Sequence, residues 1–199
     1  LGADARRILD ARKRIKDSKG KKAFTDITIN DLVCFAVIKT LKKHKRINSH
    51  LHNDTLKLFH NVNLGIAVDT GRGLMVPVIS KADTLSIEEL SEKAKNLADK
   101  CRSASIDPDL ISPGAASFTV SNLGSYGVEM FTPVINLPQT AILGVNTILH
   151  RPVDTGDGSY VFVPFIGLSL TYDHRAIDGG EATRFLKELA TEIENITIY

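Results

Sequence analysis

The stretch Thr28–Leu41 constrains this 199-residue chain more than any other. Thr28-Ile-Asn-Asp31 sets a carboxylate three residues after a hydroxyl, the pairing that closes the first turn of a helix. Leu32, Val33, Phe35, Ala36, Val37, Ile38 and Leu41 then make that helix apolar on most sides. A helix of this kind cannot lie on a surface, so a sheet and further helices must cover it.

The rest of the chain supplies both. Alternating or β-branched runs predict strands at Ser49–His52 and Thr55–Phe59 across an Asn53-Asp54 turn. Two more are expected at Val62–Asp69 and Leu74–Ile79, joined by Thr70-Gly71-Arg72-Gly73. Others follow at Ala116–Ser121, Ala141–Ile148 and Tyr160–Tyr172, with Thr155-Gly156-Asp157-Gly158 as a hairpin turn. Helices are predicted from about Ala3 to Lys16, broken by Ser18-Lys19-Gly20-Lys21-Lys22, and over Gly180–Asn195. A third spans Ile87–Arg102, with Ser86 and Glu89 as a capping box and Leu85 stapling against Leu90. No repeat and no linker interrupts residues 1–199, so the expectation is one α/β domain, a mixed sheet covered by helices.

Composition removes several classes. No apolar run approaches the ~20 residues of a spanning helix, and no secretory stretch opens the chain. Cys34 and Cys101 lie 67 residues apart, too few and too distant for a disulfide framework or a four-cysteine zinc site. Both fall on apolar helix positions, which disfavours the thiolate and suits a reducing compartment. Residues 1–60 carry a net charge of +9 and residues 61–199 a net of −7. Basic clusters such as Lys42-Lys43-His44-Lys45-Arg46 suit a solvated face, a phosphorylated cofactor or an acidic subunit. Nucleic acid is not expected, because no base-reading motif accompanies the charge.

The densest polar cluster follows the longest strand: Thr171-Tyr-Asp-His-Arg-Ala-Ile-Asp-Gly-Gly180. His174, at a strand end before a helix, is placed as a general base or as an ordinary surface histidine. Asp178 is a site residue or, with Glu181 three positions on, a helix cap. Gly71-x-Gly73 lacks the third glycine of a dinucleotide fingerprint, and no Walker sequence occurs. His50-x-His52 with His60 lacks a carboxylate or cysteine to complete a metal site, so no metal is expected.

Asp173-His-Arg-Ala-Ile-Asp-Gly179 resembles the active-site signature of the acyltransferase (E2) subunits of 2-oxo acid dehydrogenase complexes. The looser His-x-x-x-Asp-Gly is shared with chloramphenicol acetyltransferase. Asn63–Thr70 with Gly73–Pro77, Phe118–Gly124 and Pro138–Gly144 resemble E2 segments in the same order, so the likeness runs from about Ala3 to Asn195. Lys42–Asn48 departs from the family's commoner Phe/Tyr-Pro-x-x-Asn pattern.

The resemblance implies a chloramphenicol-acetyltransferase-like, trimer-forming fold that moves an acyl group between dihydrolipoamide and coenzyme A. It implies His174 as the base toward the attacking thiol. Ser121, from a neighbouring subunit, would stabilise the tetrahedral oxyanion, and Asp178 would hold the histidine loop with help from Asp173 and Arg175. Arg12, Thr28, Asp69, Asn122 and Asn146 fall where family members touch coenzyme A; Thr28 and Asp69 also suit a helix cap and a turn. Trimers are expected to build a cubic or icosahedral core in the cytoplasm, with Ile196–Tyr199 docking into a neighbouring trimer. Lipoyl and subunit-binding domains, which would bring the dihydrolipoamide and the E1 and E3 components, are expected to lie outside this chain, as is the family's usual first strand.

Overall fold

The computed structural model describes residues 1–17 and 27–197. In chain order they form β1 (Gly2–Asp4), α1 (Arg6–Asp17), α2 (Ile29–Leu41), β2 (Ser49–His52), β3 (Thr55–Leu58), β4 (Leu64–Ile66), β5 (Val68–Asp69), β6 (Leu74–Met75), β7 (Val78–Ile79), α3 (Ile87–Arg102), β8 (Phe118–Asn122), β9 (Ala141–Asp154), β10 (Tyr160–Tyr172) and α4 (Gly179–Glu194). Six strands make the main sheet in the order β1-β10-β9-β8-β4-β7, with β8 parallel to both β4 and β9 and the other pairs antiparallel. The β2–β3 and β5–β6 pairs are separate two-stranded ribbons.

The helix starts follow the sequence closely. Asp31 N–H donates to Thr28 Oγ1 at 3.2 Å while Thr28 N–H donates to Asp31 Oδ2 at 2.8 Å, and Ser86 with Glu89 repeats this reciprocal box on α3. α2 packs against α1, α3 and α4, and Leu32, Val33, Cys34, Ala36, Val37, Ile38 and Leu41 are all buried in the core. At roughly 25 cal/mol per Å² of apolar surface, each of its large side chains stabilises the fold by about 1.5–3 kcal/mol. Both cysteines are free and buried, and burial pushes their thiols up, away from the thiolate.

Several expectations are corrected. The chain opens on a strand: Ala3, 0% exposed, pairs with Ile166 on β10, and α1 begins only at Arg6. Three residues are too short to show a period, and only their partner 163 positions away makes them a strand. Val62–Asp69 and Leu74–Ile79 each divide in two, because Pro77 has no N–H for the ladder; its carbonyl still accepts from Ile66. β9 runs six residues beyond Ile148 as an arm paired with β10, where both strands are largely exposed. Ile196 is 8% exposed and joins the chain's own core, so it is not available to a neighbour. Residues 198–199 of that tail, and the Ser18–Lys22 break, lie outside the described residues.

Candidate active site

α2, α3, the β5–β6 ribbon and the end of β8 enclose a cavity of about 810 Å³. Arg12, Thr28, Asp69, Ser121 and Asn122 all line it, which brings together five residues spread over 110 positions of sequence. Each is placed by local structure. Thr28 is the cap of α2, and its partner Asp31 also accepts a bond from Ser91 Oγ at 2.9 Å, tying α2 to α3. Asn122 donates through Nδ2 to Asn30 Oδ1 at 2.8 Å and accepts Gly124 N–H at 2.8 Å, which fixes the strand end bearing Ser121. Arg12 reaches the wall from α1, and its Nη1 is buried with no hydrogen-bond partner among the described residues.

Asp69 acts as a turn former as well as a lining residue. The Gly71 N–H at 2.9 Å and the Tyr126 hydroxyl at 3.1 Å hold its carboxyl below the usual carboxylate range. Asn30 and Tyr126 also line the cavity and were missed in the sequence. Asn30 sits inside the cap motif and could have been found there; Tyr126 meets Asp69 only through the tertiary fold.

Asn146 is not brought to this cavity. A β-bulge near Ile166–Leu168 turns its side chain toward Gly167 and Ser169, where Nδ2 donates to Ser169 Oγ at 3.2 Å and Oδ1 is buried without a partner among the described residues.

His174 occupies an exposed turn just past β10, with its ring 5.7 Å from that of Tyr172. The turn is pinned on both sides of it. Asp173 N–H donates to Thr140 O at 2.8 Å, and the Asp173 carboxylate accepts Arg175 N–H at 3.0 Å and its guanidinium at 2.7–3.2 Å. That guanidinium holds the Asp173 carboxyl well below the usual range. Asp178 is the residue before α4, but its side chain makes no cap bond, so the predicted capping box with Glu181 is absent. Its carboxylate is exposed and has no partner among the described residues.

The cavity and the histidine turn lie apart. Ser121 is level with Gly144 and, across β9, with Ser169. His174 is five residues farther along β10 and two strands over, which at ~3.3 Å per residue and ~4.8 Å per strand puts the two side chains roughly 15–20 Å apart. Proton transfer needs contact at about 3 Å. Within one chain the two side chains therefore do not meet. The His50, His52 and His60 group forms no metal cluster; His50 donates through Nε2 to the Ala116 carbonyl at 2.7 Å, and no group of metal-ligating residues occurs among the described residues.

The mixed sheet with its covering helices has the fold of chloramphenicol acetyltransferase, which aligns at TM-score 0.56 over 97% of this chain and 86% of its own, at 13% identity. Within that fold, the chain belongs to the 2-oxoacid dehydrogenases acyltransferase (catalytic domain) family, whose model matches residues 2–198. It is 36% identical over 194 residues to the Staphylococcus aureus dihydrolipoyllysine-residue acetyltransferase component of the pyruvate dehydrogenase complex. That match covers 96% of this chain but 44% of the relative, so the chain spans less than half of the curated relatives it matches. The Azotobacter vinelandii dihydrolipoamide acetyltransferase aligns with TM-score 0.89 at 35% identity, covering 98% of this chain and 79% of that one. A cubic core of a pyruvate dehydrogenase multienzyme complex aligns with TM-score 0.86 at 34% identity, covering 98% and 79%.

Proposed function

We propose that this domain transfers an acyl group between dihydrolipoamide and coenzyme A at sites shared between two copies of the chain. The observation that carries this reading is the separation of Ser121, on the cavity wall, from His174 at the far end of the neighbouring strands. Two copies associating head to tail can oppose the serine of one to the histidine of the other. Tyr126, Met130, Val134 and Leu137 expose large apolar side chains on the segment after Ser121, which suits such an association.

Coenzyme A fits the cavity chemically. It carries phosphates, and Arg12, whose Nη1 has no partner among the described residues, lines the cavity as a cation for one of them. Thr28, Asp69 and Asn122 contribute polar edges beside it. Asn146 is left out of this set.

The reaction follows from thiol chemistry. A thiol of pKa near ~8.5 is mostly neutral at pH 7, and its thiolate is the nucleophile. His174 takes the proton from the coenzyme A thiol as its sulfur bonds to the acyl carbonyl carbon of the lipoyl thioester. The carbonyl oxygen becomes an oxyanion, which accepts a hydrogen bond from the Ser121 hydroxyl of the other copy. The carbon–sulfur bond to the lipoyl group then breaks, and the imidazolium returns its proton to that departing sulfur. Asp178, with no partner among the described residues, holds the loop across the shared interface.

The Azotobacter relative was investigated for the roles of a serine, a histidine and an asparagine in its mechanism, the histidine 52 residues after the serine and the asparagine four after the histidine. Ser121, His174 and Asp178 are spaced 53 and four here, with a carboxylate at the last position. By the same kinship, trimers assemble into a cubic or icosahedral core in the cytoplasm, and lipoyl and subunit-binding domains elsewhere deliver the substrate and the E1 and E3 components. His174→Ala is the test: turnover of acetyl-CoA with dihydrolipoamide falls by at least ~10²-fold while assembly is kept. Near-normal turnover would end the assignment.

A further inference from the structure

The Lys42–Asn48 stretch is where the chain departs from its family's usual pattern, and Glu181 is where an expected capping box fails to form. A single side chain joins the two. Arg46 donates through Nη2 to the Ala176 carbonyl at 2.6 Å, and its Nε lies 3.3 Å from Glu181 Oε2. We propose that Arg46 is a positioning residue for the His174 turn, bracing the Ala176 carbonyl while its ion pair with Glu181 ties that turn to the first turn of α4. This rests on the reading of His174 as the base.

Geometry gives the brace its leverage. The Arg46 backbone is itself fixed, because its carbonyl accepts Ser49 Oγ at 2.5 Å and Thr140 Oγ1 at 3.4 Å. Thr140 also accepts the Asp173 N–H, so Arg46 and the start of the turn are referenced to one buried residue. Ala176 and Ile177, two and three residues after His174, are buried, and both N–H groups donate to Asp173 O at 3.0 Å. The turn is thus closed on its inner side by backbone bonds and on its outer side by the Asp173–Arg175 pair. Arg46 supplies the one side-chain bond from another part of the chain to the residues between His174 and Asp178 among the described residues. A guanidinium can serve a carbonyl and a carboxylate at once because its donors are arranged in a planar fork; a lysine ammonium at the same place satisfies one of them.

The sequence could not show this. Read alone, Arg46 belongs to a basic cluster and Glu181 to a helix start, 135 positions apart. Glu181 resolves into a partner for Arg46 only when α4 is laid beside the α2–β2 loop.

The test uses the assembled protein, with acetyl-CoA and dihydrolipoamide as substrates and His174→Ala measured alongside. Arg46→Met keeps the aliphatic stem and lowers kcat roughly tenfold, the loss expected of a hydrogen bond to a charged group, with KM for coenzyme A within about twofold of the parent. Arg46→Lys recovers part of that loss. Glu181→Gln costs less than Arg46→Met, and the double variant is no slower than Arg46→Met alone, because both act through one brace. If Arg46→Met does not assemble, Arg46→Lys and Glu181→Gln carry the comparison. Parental kcat in these variants beside an inactive His174→Ala overturns the brace and leaves the acyltransferase reading intact. An inactive parent, or an active His174→Ala, overturns the reading beneath it.

Discussion

Arg12→Met separates a ligand-binding role from a structural one, because the two predict opposite signs. Arg12 Nη1 is buried in the cavity wall with no acceptor for its proton among the described residues. A buried polar donor without a partner costs about 1–3 kcal/mol, and here the group is also charged. Methionine keeps the unbranched stem and the packing of α1 while removing that penalty. In a domain of this size each kcal/mol moves the melting temperature by about 2–4 °C, so the ligand-free variant melts roughly 2–10 °C above the parent. Coenzyme A binding moves the other way. Loss of a charge-assisted bond to a phosphate removes about 1.5–3 kcal/mol, a weakening of roughly 10- to 150-fold in Kd. Thermal unfolding with and without coenzyme A, together with calorimetric titration, reads both effects on one preparation. A variant that melts lower than the parent and binds coenzyme A as tightly refutes the argument, since Arg12 would then be a packing residue alone.

Two further outcomes follow from the interior. Gly167→Ala places a Cβ 2.8 Å from Asn146 Nδ2 and 2.9 Å from its Cβ, which overpacks the bulge and costs about 1–3 kcal/mol in urea unfolding; a second change, Asn146→Ala, restores most of it. Burial pushes the His50 imidazole below its ordinary value, against the Ala116 carbonyl bond that favours the charged form. The unfolded chain then binds a proton that the native chain refuses. Stability is fully present above about pH 6.5 and is lost as pH falls through that value toward the lower native pKa. His50→Asn flattens this part of the melting-temperature profile, and an unchanged acid slope shows that His50 does not contribute.

Much of the architecture was legible because it is written locally. Both capping boxes, the Ile87–Arg102 helix and the Tyr160–Tyr172 strand follow from residues within a few positions of one another. What escaped depends on distant partners. β1 is a strand only because β10 needs an edge neighbour. The long strands around Thr70–Gly73 divide only because Pro77 interrupts a ladder whose other rail is β4. Asn146 points away from the cavity because a bulge on the opposite strand leaves room at Gly167. The candidate site was legible as residue types and illegible as geometry: four of five expected coenzyme A residues meet Ser121 at one cavity, whereas nothing in the spacing of Ser121 and His174 discloses that they sit on different ends of the sheet.

That last distance sets the stoichiometry of any closed ring of these chains. On the proposed pairing of Ser121 with the His174 of a second copy, a ring of n protomers holds n complete centres and a solitary protomer holds none, so dilution below the dissociation constant extinguishes turnover without unfolding a single molecule. Two disabled chains can also repair one another: in an equal random mixture of protomers lacking Ser121 with protomers lacking His174, about a quarter of the junctions reunite an intact hydroxyl with an intact imidazole.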